Sequence, residues 1–93
     1  MTSLRSSATV VLYKADGCHL CERAQEQLAR LQQELGFDLE EVSIDGDAEL
    51  ETRYRELIPV VEIAGERAFT YYVHEDAFRR KLAAQTSARP TSL

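Results

Sequence analysis

Thr9 to Tyr13 (TVVLY) is a β-branched and apolar run without polar alternation, and a helical repeat begins a few residues later. Such a run suits a central strand covered on both faces. The repeat, from about His19 to Leu35, sets Leu20, Ala24, Leu28, Leu31 and Leu35 on one side. Glu22, Arg23, Glu26, Arg30 and Gln33 fill the other. Gly36 is a natural stop. Phe37 to Ile44 (FDLEEVSI) then reads as a second strand, and its charges suit an edge position. Strand, helical crossover and strand imply a parallel pair joined in the right-handed sense, which restricts the fold more than any other feature of the chain.

The remainder completes a sheet. Asp45-Gly46-Asp47 is a turn, and Asp47 suits the cap of a short helix from about Ala48 to Leu57 that buries Leu50, Tyr54 and Leu57. Pro59 interrupts, and Val60 to Ile63 is a third strand. Ala64-Gly65-Glu66 is a tight turn, and Arg67 to Tyr72 returns as an antiparallel fourth strand. Of Tyr71 and Tyr72 on that edge, one ring is expected to pack beneath a helix and the other to be partly exposed. A last helix runs from about Glu75 to Ala84, with Ala77, Phe78 and Leu82 inward. Its early acids and later Arg79, Arg80 and Lys81 complement the helix dipole. The expected order is β-α-β-α-β-β-α: an α/β domain with a four-stranded mixed sheet and helices on both faces. It occupies residues 8–85, and 1–7 (MTSLRSS) and 86–93 (TSARPTSL) are expected to be flexible tails.

Charge and hydropathy exclude some partners. The chain has 93 residues, with 16 acidic against 11 basic side chains and a net charge of −5. Nothing is basic enough to favour nucleic acid. No stretch approaches the ~18 apolar residues of a membrane span, and residues 1–7 lack the apolar centre of a signal peptide. A cytoplasmic monomer is the expectation. In a reducing compartment a cysteine pair is more often catalytic or metal-binding than structural.

The chain's two cysteines stand three positions apart, in KADGCHLC. Zinc wants four ligands. Only two histidines are on offer: His19 lies awkwardly between the cysteines, and His74 is far along on a different element. A structural disulfide closing so short a loop removes little entropy from the unfolded chain. A redox pair uses each feature. Cys18 falls just beyond a buried strand, at a helix start, where unpartnered backbone N–H groups favour a thiolate. Cys21, one turn on, is more buried and closer to neutral. Cys18 then attacks a disulfide, and Cys21 resolves the mixed disulfide. A free thiol has a pKa of about 8.5, lowered in such motifs to near 7 or below. His19 and Lys14 add positive charge that tunes Cys18, and Asp16 opposes them.

On these residues the chain resembles the thioredoxin-fold superfamily and is most similar to the small bacterial glutaredoxin-like domains. The resemblance covers roughly residues 8–84 and rests on LYKADGCHLCERAQEQL and VSIDGDAELETRYRELIPVVEIAGE. Tyr13, Cys18, Cys21, Arg23 and Ala24 match the family's strand end, dithiol and helix start, and Ile44-Asp45 matches a strand ending in Asp. The resemblance implies a thioredoxin-like fold, thiol–disulfide oxidoreductase activity and no bound cofactor. It implies that Pro59 is a cis-proline facing the cysteines and that the backbone of Ile58 pairs with substrate. The implied partner is a disulfide-containing protein or a low-molecular-weight thiol such as glutathione. Two departures stand out. His19-Leu20 replaces the Pro-Tyr of common dithiol glutaredoxins. After the final hairpin, TYYVHED replaces the Gly-Gly-Asp-type turn that grips glutathione carboxylates. The alternative function is a binding module on the same fold, holding an iron–sulfur cluster or a partner protein without turnover.

Overall fold

A computed structural model of the chain describes residues 8–87. Of the tails expected at 1–7 and 86–93, residues 1–7 and 88–93 lie outside the described residues. The elements are β1 (Thr9–Lys14), α1 (His19–Leu35), β2 (Asp38–Ser43), α2 (Ala48–Tyr54), β3 (Val60–Ile63), β4 (Glu66–Thr70) and α3 (Glu75–Ser87). The sheet is four-stranded and mixed, in the order β2-β1-β3-β4. β1 and β2 are parallel, and β1–β3 and β3–β4 are antiparallel. The apolar run is thus an inner strand, and the charged FDLEEVSI segment forms an edge, as their patterns predict.

Alternation along the inner strands divides the core. Val10 and Leu12 of β1, with Val61 and Ile63 of β3, pack with Ala24, Leu28 and Leu31 of α1 and Phe78 and Leu82 of α3. Tyr13 and Val60, one residue out of phase, turn to the other face and join Ile44 and Tyr54 of α2. Period-two alternation of a strand therefore puts α1 and α3 on one face and α2 on the other.

Apart from one-residue differences at the strand ends, three boundaries depart from expectation. α2 stops at Tyr54 rather than near Leu57. The Leu57 and Ile58 N–H groups both donate to the Tyr54 carbonyl, at 2.8 and 3.1 Å, closing a turn. The residue before a proline disfavours helical backbone, so α2 ends ahead of Pro59. β4 stops at Thr70, because Tyr71 takes φ 69° and turns the chain out of the sheet. α3 continues past Ala84 to Ser87, so Thr86 and Ser87 belong to a helix rather than to a tail. No Gly or Pro intervenes before Pro90.

The register decides where chemistry is possible. Tyr13 pairs with Val60, Val60 with Thr70, and Lys14 with Ser43. One end of the sheet thus receives the chain after β1, β2 and β4 and before β3. Residues 15–18, 44–47, 55–59 and 71–74 gather there.

Candidate active site

Cys18 is the N-cap of α1, with extended backbone (φ −101°, ψ 105°). Its Sγ accepts the backbone N–H of Cys21 at 3.1 Å, and its carbonyl accepts that of Glu22 at 3.1 Å. A helix N-terminus leaves its first N–H groups without intrahelical partners, and here a sulfur fills the place usually taken by a hydroxyl or carboxylate. Cys18 and Cys21 are joined as a disulfide with Cα atoms 5.1 Å apart. Cys18 is half-buried, whereas Cys21 is 2% exposed.

The loop before the pair is tied down. The Ile44 N–H donates to the Lys14 carbonyl at 2.8 Å, extending the parallel ladder one residue past the end of β2. The Asp16 N–H donates to Asp45 Oδ2 at 2.9 Å. Gly17 then takes φ 74°, a left-handed conformation that glycine adopts without strain. Asp45, matched in the sequence only as a strand-terminal residue, is the tether of this loop. An acid just after the parallel neighbour of the cysteine-bearing strand is the signal that points to it.

The Ile58–Pro59 peptide is cis, in accord with the resemblance. Pro59 is buried and Ile58 half-buried. The register brings them to the same end of the sheet as Cys18. The Pro59 carbonyl accepts the Tyr71 N–H at 2.9 Å, and the Tyr71 hydroxyl donates to the Glu56 carbonyl at 2.6 Å. Tyr71 thus holds the segment before β3 at two points, a role that its sequence position did not announce. Neither tyrosine of the pair packs beneath a helix: Tyr71 is 42% and Tyr72 55% exposed. The left-handed turn at Tyr71 breaks the strand alternation that would have buried one ring.

Lys14 and His19 sit differently from one another. The Lys14 ammonium lies 2.9 Å from Glu41 Oε1 on β2, so it turns toward that strand. The His19 side chain is 95% exposed, with Nδ1 3.8 Å from Glu22 Oε1. Beneath the loop, Tyr13 and Tyr54 stack with centroids 4.3 Å apart, and the Tyr54 hydroxyl donates to Glu62 Oε2 at 3.2 Å. Burial, and next the Glu62 carboxylate, push the Tyr13 phenol above its ordinary pKa. At the start of α3, the Glu75 carboxylate is engaged by Gln27 and Arg30 of α1, at 3.1 and 3.3 Å. Among the described residues, no group of three or more His, Cys, Asp and Glu side chains gathers as a metal site, and no helix is long and apolar enough to cross a membrane.

Comparison with known proteins agrees with this geometry. The chain is 33% identical over 90 residues to an uncharacterized protein of Mycobacterium tuberculosis, covering 91% of this chain and 93% of that one. Among solved structures it is similar to a Nitrosomonas europaea protein determined by solution NMR, with a TM-score of 0.72 and 29% identity. That match covers 87% of this chain and 98% of the other. A protein from X. campestris superposes with a TM-score of 0.67 at 33% identity, over 81% of this chain and 96% of that one. Thioredoxin f2 of Chlamydomonas reinhardtii shares the fold, with a TM-score of 0.60 at 15% identity over 96% and 85% of the two chains. The family model described as Glutaredoxin-like domain (DUF836) matches residues 9–83, and the chain belongs to that family, on a thioredoxin-like fold.

Proposed function

We propose that the protein is a small thiol–disulfide oxidoreductase in which Cys18 attacks and Cys21 resolves. The observation that carries this reading is the cap: Cys18 Sγ accepts a backbone N–H at the start of α1, next to a buried second cysteine. That setting favours sulfur as an anion, and a thiolate is the nucleophile of disulfide exchange.

The reaction balances with these groups alone. The Cys18 thiolate attacks one sulfur of a substrate disulfide. A Cys18–substrate bond forms as the substrate S–S bond breaks, and the departing half leaves as a thiolate that takes a proton from solvent. Cys21 then gives up its proton and attacks Cys18 Sγ. The internal disulfide forms and the second substrate half leaves. The substrate is reduced by two electrons and two protons, and the dithiol is oxidised by the same amount. A low-molecular-weight thiol or the dithiol of a reductase restores the reduced pair by the reverse exchange. The Ile58 N–H already donates to the Tyr54 carbonyl, so pairing with an extended substrate segment falls to the Ile58 carbonyl, beside Pro59.

The test is reduction of a protein disulfide by the wild type and two variants. Cys18→Ser is expected to abolish turnover. Cys21→Ser is expected to accumulate a mixed disulfide, visible as added mass on the intact protein and removed by reductant. Full turnover by Cys18→Ser overturns the reading.

A further inference from the structure

Resolution by Cys21 poses a problem of proton transfer. Cys21 is 2% exposed, and its thiol must lose a proton to attack. At that moment a substrate joined to Cys18 covers the front of the site. A second opening exists. A cleft of about 230 Å³ has Cys21 in its wall together with Lys14, Asp16, Glu22, Gln25 and Ser43. It lies on the β2 side of the dithiol, whereas Ile58, Pro59 and Tyr71 belong to the β3–β4 side. Water occupies about 30 Å³ per molecule in the liquid and needs polar partners. The cleft meets both requirements.

Its charges come from every element around it. β1 supplies Lys14, the loop Asp16, and α1 Glu22 with the neutral Gln25. β2 supplies the neutral Ser43 and, through Lys14, Glu41. Asp45 is bonded to the Asp16 N–H and lies 3.5 Å from the Ser43 hydroxyl. His19 is turned outward, toward Glu22. Lys14 is the one cation among the described lining residues. Glu41 Oε1 fixes it at 2.9 Å and also accepts from Gln25 Nε2 at 3.0 Å.

We infer that this cleft is the proton path of Cys21, and that Lys14, restrained by Glu41 and Gln25, is a positioning residue whose charge favours the Cys21 thiolate during resolution. The inference rests on the oxidoreductase reading and deepens it. Water carries the proton from the thiol out through the cleft and back again when the internal disulfide is reduced. Asp16 and Glu22 oppose the anion, and Lys14 is the one charge among the described lining residues that favours it.

Two substitutions separate this role from a structural one, because they act in opposite directions. In a Cys18→Ser background Cys21 is the sole thiol of the chain, and its thiolate can be titrated by ultraviolet absorbance. Lys14→Met is expected to raise the midpoint. Glu41→Gln, which removes the counter-charge from Lys14, is expected to lower it, and Lys14→Arg to restore it. With both cysteines present, an aromatic disulfide reports release in two phases, the first from Cys18 and the second from Cys21. Below the midpoint each pH unit is worth about tenfold in thiolate. The second phase should therefore slow about 3- to 10-fold in Lys14→Met and quicken in Glu41→Gln, by more than any change in the first. Shifts in the same direction, or none, overturn the inference. If Lys14→Met does not fold, Glu41→Gln still decides, since an unmoved or raised midpoint refutes the assignment. Loss of turnover on protein disulfides with the opposed shifts intact overturns the oxidoreductase reading alone. Turnover without the opposed shifts overturns the proton path alone.

Discussion

Tyr71 is a bulky residue in left-handed backbone, at φ 69°, a conformation that costs an L-residue roughly 1–2 kcal/mol. Its N–H bond to Pro59 and hydroxyl bond to Glu56 offset that cost and hold the start of β3. Tyr71→Phe keeps the ring and the turn but deletes the hydroxyl bond. It should lower stability by about 1 kcal/mol, seen as a smaller urea midpoint at constant slope; an unchanged midpoint means that the bond contributes nothing. Tyr13 gives a second residue-level expectation. Its phenol is raised first by burial and then by Glu62, so the folded state favours the neutral form. The associated stability is fully present below the unfolded pKa, about 10, and is lost as pH rises through the higher folded value. In an alkaline absorbance titration, the signal missing from Tyr13→Phe should be a late-ionising component. If the missing component ionises with the exposed tyrosines, the burial argument fails.

At the scale of elements, caps explain why the helices begin and end where they do. Gly36 ends α1 in left-handed backbone, φ 79°, with its N–H on the Gln32 carbonyl at 2.8 Å. A Cβ added there meets nothing within 4 Å, so Gly36→Ala isolates the conformational penalty, about 1 kcal/mol or somewhat more by chemical denaturation. A stabilised variant would contradict the assignment. The same elements show what a sequence discloses. β1, α1 and β3 were legible because their apolar patterns are local: Val10 and Leu12, or Ala24, Leu28 and Leu31, state their own period. The ends of α2 and β4 were not. Tyr71 leaves the strand through bonds to Glu56 and Pro59, residues brought near only by the folded sheet. Lys14 was read as a neighbour of Cys18, yet its direction is set by Glu41 across a parallel strand pair. That register cannot be read from either segment alone. Cys18 as a cap was legible because a cap is local; Asp45 as the tether of its loop was not.

For the molecule as a whole, the two helices on one face are joined by charge as well as by packing. Arg79 of α3 holds both carboxylate oxygens of Glu34 on α1, Nη2 to Oε1 at 2.9 Å and Nε to Oε2 at 3.1 Å. Arg30 and Gln27 of α1 also hold Glu75 at the start of α3, one turn before Arg79. These links border the apolar contact of Leu28 and Leu31 with Phe78 and Leu82 and keep the face carrying α1, and with it Cys18, in one register. The hydrogen bond from Arg79 holds the Glu34 carboxyl below its ordinary pKa, with burial opposing. A carboxylate depressed in the folded state adds stability that is present above the unfolded pKa and is lost as pH falls through the folded one. Both groups are well exposed, so the contribution is modest and screened by salt. Glu34→Gln should therefore be less stable than wild type at neutral pH and low salt. The gap should narrow on acidification through the carboxylate range and also on adding salt at neutral pH. Urea melts at two pH values and two salt concentrations give all four comparisons. A gap independent of both variables would mean that Glu34 acts by packing alone, and that the α1–α3 register is set by the apolar contact without help from charge.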